Sequence, residues 1–185
     1  MFLALDLPEG PRRTLAAWRD ELVAGRDNLR PVGEAALHVT LVFLGWQAEK
    51  DVERIAGAAF GPAGGLEPPL LAASGVRPLP PRRPRLFALD LVDDGERATS
   101  LQDVMSRALE AERLYRPEKR PFWPHVTLAR VKRGQRAEPL PELPPPGEAF
   151  EAADLTLYRS TLRPQGALYE PLARARVGAP GVSYG

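Results

Sequence analysis

The tetrapeptide His38-Val39-Thr40-Leu41 occurs again as His125-Val126-Thr127-Leu128, 87 residues further on, and the chain has no other histidines. In a β-strand, side chains alternate between two faces, so His and Thr would share one face and Val and Leu the other. Val39, Leu41, Val126 and Leu128 are natural core residues, which leaves an imidazole and a hydroxyl side by side on each opposite face. A single His-x-Thr strand is more often a structural histidine satisfied by its neighbouring threonine. Two identical copies that hold every histidine of the chain reverse that judgement. Imidazole titrates near pH 6.5, so one ring can be neutral while the other is protonated, as concerted acid–base catalysis requires. Threonine hydroxyls donate well to phosphoryl oxygens on which charge develops. The set suits hydrolysis of a phosphodiester, above all a strained cyclic one, with His38 and His125 as the acid–base pair and Thr40 and Thr127 on the phosphate.

Metal catalysis is the competing chemistry, and it usually draws on three or more His and carboxylate ligands. Two histidines on separate strands, without HxxxH, HxH or a carboxylate cluster beside them, make a poor metal site. Asp6 and Asp90 lie on repeated strands, but at their far ends. The expectation is therefore no metal and no cofactor. The chain has no cysteine, so disulfides, thiolate metal sites and a cysteine nucleophile are all excluded.

The elements that must position these residues are themselves repeated. Ala4-Leu5-Asp6-Leu7 returns as Ala88-Leu89-Asp90-Leu91, 84 residues later and in the same order relative to the histidine motifs. After the first copy, Pro11 can open a helix in which Leu15, Trp18 and Leu22 form an apolar stripe. After the second copy, Ala98, Leu101, Met105 and Ala108 form a similar stripe running through Leu109. Each unit reads as strand, helix, irregular loop and HVTL strand, over roughly residues 2–45 and 86–131. Between them come a helical stretch with Val52, Ile55, Ala56 and Ala59 on one face, a strand-like run Leu70-Leu71-Ala72-Ala73, and an Arg/Pro segment from Arg77 to Arg85. The segment reads as a solvated loop joining the halves, with an RNA cradle or a polyproline-type ligand as the other readings. A proline-rich stretch (Pro139 to Pro146) leads to a strand at Leu155-Thr156-Leu157-Tyr158, and the Gly/Pro-rich tail from Val177 to Gly185 reads as loose. The expected architecture is a single α+β domain spanning residues 1–185: bilobal, with two antiparallel sheets about a pseudo-twofold axis, helices on the outer faces and a central cleft.

The formal charge of +1 excludes a global basic field for a long duplex. The cations are nearly all arginine, the lysines being Lys50, Lys119 and Lys132, and the planar guanidinium fork suits phosphate. The opening Met1-Phe2-Leu3-Ala4-Leu5-Asp6 has no basic start and its apolar run breaks at Asp6, unlike a signal peptide. No apolar stretch reaches the roughly 20 residues of a membrane span. A cytoplasmic, soluble protein is expected, and a monomer, because the duplication already supplies two half-sites.

At these residues the chain resembles the 2H phosphoesterase superfamily, in particular the bacterial and archaeal RNA 2′,3′-cyclic phosphodiesterases, also called 2′-5′ RNA ligases. The likeness runs through Phe2-Leu3-Ala4-Leu5-Asp6-Leu7-Pro8, His38-Val39-Thr40-Leu41-Val42-Phe43-Leu44-Gly45, Pro124-His125-Val126-Thr127-Leu128-Ala129-Arg130 and a closing Leu155-Thr156-Leu157-Tyr158-Arg159-Ser160 with Gly166-Ala167 and Tyr169. The resemblance implies metal-independent hydrolysis of an RNA or nucleotide 2′,3′-cyclic phosphate to a 2′-phosphomonoester, with reversible 2′-5′ RNA joining as a side activity. It implies that His38 protonates the leaving 3′ oxygen and His125 activates water, a division that two identical motifs do not themselves reveal. It also adds Arg130 as a phosphate contact. Strand parity opposes this, since residue 130 falls on the Val126 and Leu128 face unless a bulge re-aims it. Phe122 and Trp123, just before the second motif, are candidates to stack a base. Two readings compete with this enzyme: a non-catalytic module that binds RNA ends, and a phosphodiesterase acting on 2′-5′-linked oligonucleotides or an ADP-ribose cyclic phosphate.

Overall fold

The structure is a computed structural model that describes residues 1–163 and 166–184. The apolar run after Met1 forms β1 (Phe2–Asp6), and helix α1 (Glu9–Leu22) follows, starting two residues ahead of Pro11. Its predicted stripe of Leu15, Trp18 and Leu22 is buried. The short β2 (Leu29–Pro31) and a 3-10 turn at Glu34–Ala36 lead into β3 (His38–Phe43), the first histidine strand. Helix α2 (Val52–Phe60) buries Ile55, Ala56, Ala59 and Phe60. The hairpin of β4 (Leu70–Leu79) and β5 (Leu86–Asp94) follows, then α3 (Arg97–Ala111) and β6 (His125–Val131), the second histidine strand. Asp93 caps α3, its carboxylate accepting from the Ala98 and Thr99 amides at 2.8 and 2.9 Å. The short β7 (Phe150–Glu151), the long hairpin of β8 (Asp154–Arg163) and β9 (Gly166–Arg176), and β10 (Val182–Tyr184) complete the chain.

The strands are ordered β10-β9-β8-β1-β3-β6-β5-β4-β7, with β2 pairing to β6, and every pairing is antiparallel. The two antiparallel sheets expected from the repeat are present as two halves of one sheet. They meet at β3 and β6 through a single registered pair, Val39 with Val126. Leu3, Leu5, Val39, Leu41, Leu89, Val126 and Leu128 all point to one face, and there they share a core with the buried residues of the three helices. The opposite face carries the two histidines. The fold is α+β, as expected.

Two local expectations fail. The Arg/Pro segment is not wholly loop, because β4 continues through Arg77 and Pro78 to Leu79, opposite Phe87 and Leu86. Proline cannot donate to a ladder and argues against a strand. Here Pro78 is tolerated because β7 covers only Leu70 and Leu71 of β4, leaving the rest as an edge. The tail is not loose either: Val177 is buried and β10 pairs with Ala173 to Ala175 of β9. Gly185 lies outside the described residues.

Candidate active site

β3 and β6 run antiparallel about Val39 and Val126. Continued one residue each way, that register sets Thr127 across from His38 and His125 across from Thr40. The four side chains of the two motifs therefore form a crossed quartet on one face. Diagonal cross-strand neighbours stand roughly 7–8 Å apart, a gap that suits one phosphoryl group between two imidazoles.

Each ring is held in the same way. Nδ1 of His38 donates to the Ala36 carbonyl at 2.8 Å, and Nδ1 of His125 to the Trp123 carbonyl at 2.8 Å. A carbonyl only accepts, so Nδ1 carries the proton in both neutral rings and Nε2 is the nitrogen that carries none. Nε2 of His38 lies 3.0 Å from Oγ1 of Thr40. Aromatic rings fix the imidazole planes: Phe2 stacks on His38 at 5.0 Å, and Trp123 on His125 at 4.0 Å and 13°. Tyr169, from β9, meets His38 edge-on at 5.4 Å. Burial pushes both imidazoles below their ordinary pKa, against the hydrogen bonds and carboxylates that favour the charged form.

Those carboxylates are Asp6 and Asp90. The sequence placed them at the far ends of their strands, and antiparallel pairing turns a far end into a facing position. Asp6 is the registered partner of His38, and Asp90 of His125. The recurring Ala-Leu-Asp-Leu was the signal that could have revealed them. Their surroundings break the symmetry. Asp6 accepts from two neutral hydroxyls, Thr156 at 2.6 Å and Tyr158 at 2.8 Å. Burial and then the Asp6 charge push the Tyr158 phenol up to about 12. Asp90 instead pairs with a cation, Arg77, at 2.7 Å, and that guanidinium also lies 4.9 Å above the Trp123 ring. Trp123 is thus engaged by His125 and Arg77 rather than standing free to stack a base.

Arg130 reaches the histidine face. Thr127 pairs with Ala88 and Ala129 with Phe87, so Leu128 is an extra residue in β6 and reverses the parity beyond it. β3 carries the same bulge at Leu41, since Thr40 pairs with Ala4 and Val42 with Leu3. The Arg130 charge is close enough to help lower the His38 pKa. It lines a small cavity of about 100 Å³ with Arg30, Gly166, Ala167 and Tyr169. Among the described residues, no three His, Cys, Asp or Glu side chains gather as a metal site. No described helix is long and apolar enough to cross a membrane.

Comparison with known proteins settles the family. The model of the 2′-5′ RNA ligase superfamily matches residues 7–163. The chain belongs to this superfamily. A curated relative from Methanothermobacter thermautotrophicus, named RNA 2′,3′-cyclic phosphodiesterase, is 32% identical over 91% of this chain and 93% of its own length. One from Escherichia coli K12 with the same name is 30% identical, over 94% of each chain. Among solved structures, a Thermus thermophilus protein superposes with a TM-score of 0.79 at 28% identity, covering 97% of this chain and 98% of that one. E. coli LigT complexed with 3′-AMP superposes with a TM-score of 0.72 at 26% identity, covering 95% and 96%. This superfamily member thus shares fold and length with proteins that carry one activity name.

Proposed function

We propose that the chain hydrolyses RNA or nucleotide 2′,3′-cyclic phosphates to 2′-phosphomonoesters through a metal-independent pair of imidazoles, His38 and His125. The superfamily membership and the shared name of its full-length relatives make the enzyme an RNA 2′,3′-cyclic phosphodiesterase. The observation that carries the mechanism is the crossed quartet of His38, Thr40, His125 and Thr127, with Nε2 the working nitrogen of both rings. Water attacks phosphorus and gives its proton to Nε2 of His125. The bond from phosphorus to the 3′ oxygen breaks, and Nε2 of His38 protonates that oxygen. Thr40, Thr127 and Arg130 donate to the phosphoryl oxygens, where charge builds. The two carboxylates support this division of roles. Asp6, held by neutral donors, lies beside His38 and offsets part of the burial that lowers that ring's pKa. Arg77 offsets the charge of Asp90, which favours a neutral ring at His125. Because one chain supplies both half-sites, the working unit is a monomer, and sedimentation at the chain mass checks that.

Phosphorus NMR of a 2′,3′-cyclic mononucleotide incubated with the protein in EDTA tests the reading. A 2′-monophosphate is expected, with His38→Ala and His125→Ala each slower by about 10²–10⁴-fold. A 3′-monophosphate overturns the assigned leaving group. Undiminished turnover in both variants overturns the acid–base pair.

A further inference from the structure

At the end of the sheet away from His125, two loops lie side by side. The turn between β4 and β5 contributes Arg82, Arg83 and Arg85, and the loop after β6 contributes Lys132, Arg133 and Arg136. These six line a cleft of about 630 Å³ with no acidic residue in its wall. All six are exposed, and among the described residues none forms an ion pair. For a protein of net charge +1 this is a concentrated cluster. Unpaired like charges held together repel, so a cluster fixed this way is costly unless an anion offsets it.

The cluster is held in place by backbone and amide contacts. The Val131 amide donates to the Arg85 carbonyl at 2.9 Å, and the Arg85 amide to the Leu79 carbonyl at 2.7 Å. The Lys132 amide donates to the Asn28 carbonyl at 2.9 Å, and the Asn28 side chain donates to the Arg136 carbonyl at 2.6 Å. Seven residues of strand separate His125 from Lys132, roughly 20 Å. The interval is not empty of charge: Arg30 and Arg130 are registered partners across β2 and β6 and line the same cavity. Cations therefore run from the histidine pair to the cleft.

We propose that this cleft binds the phosphate backbone of a single-stranded RNA whose cyclic-phosphate end occupies the histidine site. Five of the six cations are arginines, whose planar forks match phosphate oxygens bidentately. The row leads away from a site that itself handles a phosphodiester, which favours a polynucleotide over an acidic peptide. The preferred substrate is then an oligonucleotide end rather than a cyclic mononucleotide, an inference that rests on the cyclic-phosphodiesterase reading.

The test compares a 2′,3′-cyclic mononucleotide with a single-stranded RNA of about ten nucleotides carrying the same end, a length such grooves span. The intact chain is set against a variant combining Arg82→Gln, Arg83→Gln, Arg133→Gln and Arg136→Gln. The variant should lose about tenfold or more in kcat/KM on the RNA through KM, at unchanged kcat. Its mononucleotide turnover should stay within about twofold. For the intact chain, log kcat/KM on the RNA should fall with log salt by about 0.7 for each phosphate engaged, and the slope should flatten in the variant. Equal RNA kinetics in both proteins, with the mononucleotide still hydrolysed, overturns the cleft and leaves the catalytic reading standing. If neither substrate is hydrolysed, the catalytic reading fails. Anisotropy of a fluorescein-labelled RNA then decides the cleft by itself: weaker binding by the variant keeps it, and equal binding removes it. Displacement of that RNA by polyglutamate as readily as by unlabelled RNA reassigns the cleft to an acidic peptide.

Discussion

At the scale of single residues, the proposed mechanism gives two identical motifs different roles, and their neighbours differ accordingly. Both imidazoles are pushed down by burial. The base is active when neutral, so kcat/KM rises as pH climbs through the His125 pKa. The acid is active when protonated, so kcat/KM falls as pH climbs through the His38 pKa. Both limbs therefore lie below the ordinary histidine value of about 6.5, and a pH profile of kcat/KM should peak on its acid side. Arg77→Gln uncovers the Asp90 charge. The His125 pKa should move up, carrying the rising limb with it, while Asp90→Asn should move it down. NMR titration of the His125 ring reads both shifts, and a ring unmoved by either change would detach Arg77 and Asp90 from the mechanism. The histidines and threonines were legible in the sequence because the motif repeats. The partners that distinguish them were not, because Arg77 and Tyr158 come from segments outside the repeat, and Trp123 stands where the first unit has Ala36.

At the scale of elements, sequence patterns located the three helices, the histidine strands, β1, β5, β8 and the start of β4, and composition hid parts of the remainder. Proline hid the second half of β4, and glycine and proline hid β10, because edge positions tolerate what central strands do not. β9 went unread as a strand, yet its Tyr169 meets His38. The bulges at Leu41 and Leu128 were invisible to a parity argument, which assumes an unbroken ladder. The one at Leu128 explains why Arg130 shares a face with His125 despite its odd spacing. Leu128 is also fully buried. Leu128→Ala should cost about 2–5 kcal/mol by urea unfolding. It should weaken substrate binding as well, because the bulge that aims Arg130 loses its anchor. A variant as stable as the parent would show that the core does not hold the bulge.

At the scale of the whole molecule, the helices and the apolar strand faces make a core that leaves both histidines desolvated on the other side of the sheet. A histidine whose pKa is lower folded than unfolded binds its proton more tightly in the unfolded chain. Its contribution to stability is present above about pH 6.5 and is lost as pH falls through the folded-state pKa. The urea midpoint should therefore fall on acidification from pH 7 to pH 5, and less steeply once His38 and His125 are both replaced by Gln. Equal slopes would assign the acid sensitivity to other groups. The repeat itself was legible because two landmarks recur at nearly equal spacing. Fusion of the halves into one sheet was not, since strand pairing between the repeats leaves no local signal.

The Val39–Val126 junction is the sheet's narrowest seam, one rung wide between two broad ladders. Backbone pairing alone ties the halves weakly there, so the core beneath them, with α3 packed against both β3 and β5, fixes how they sit. One imidazole stands on each side of that rung, so the packing under the sheet, rather than a ladder of strand bonds, sets the span between the two rings.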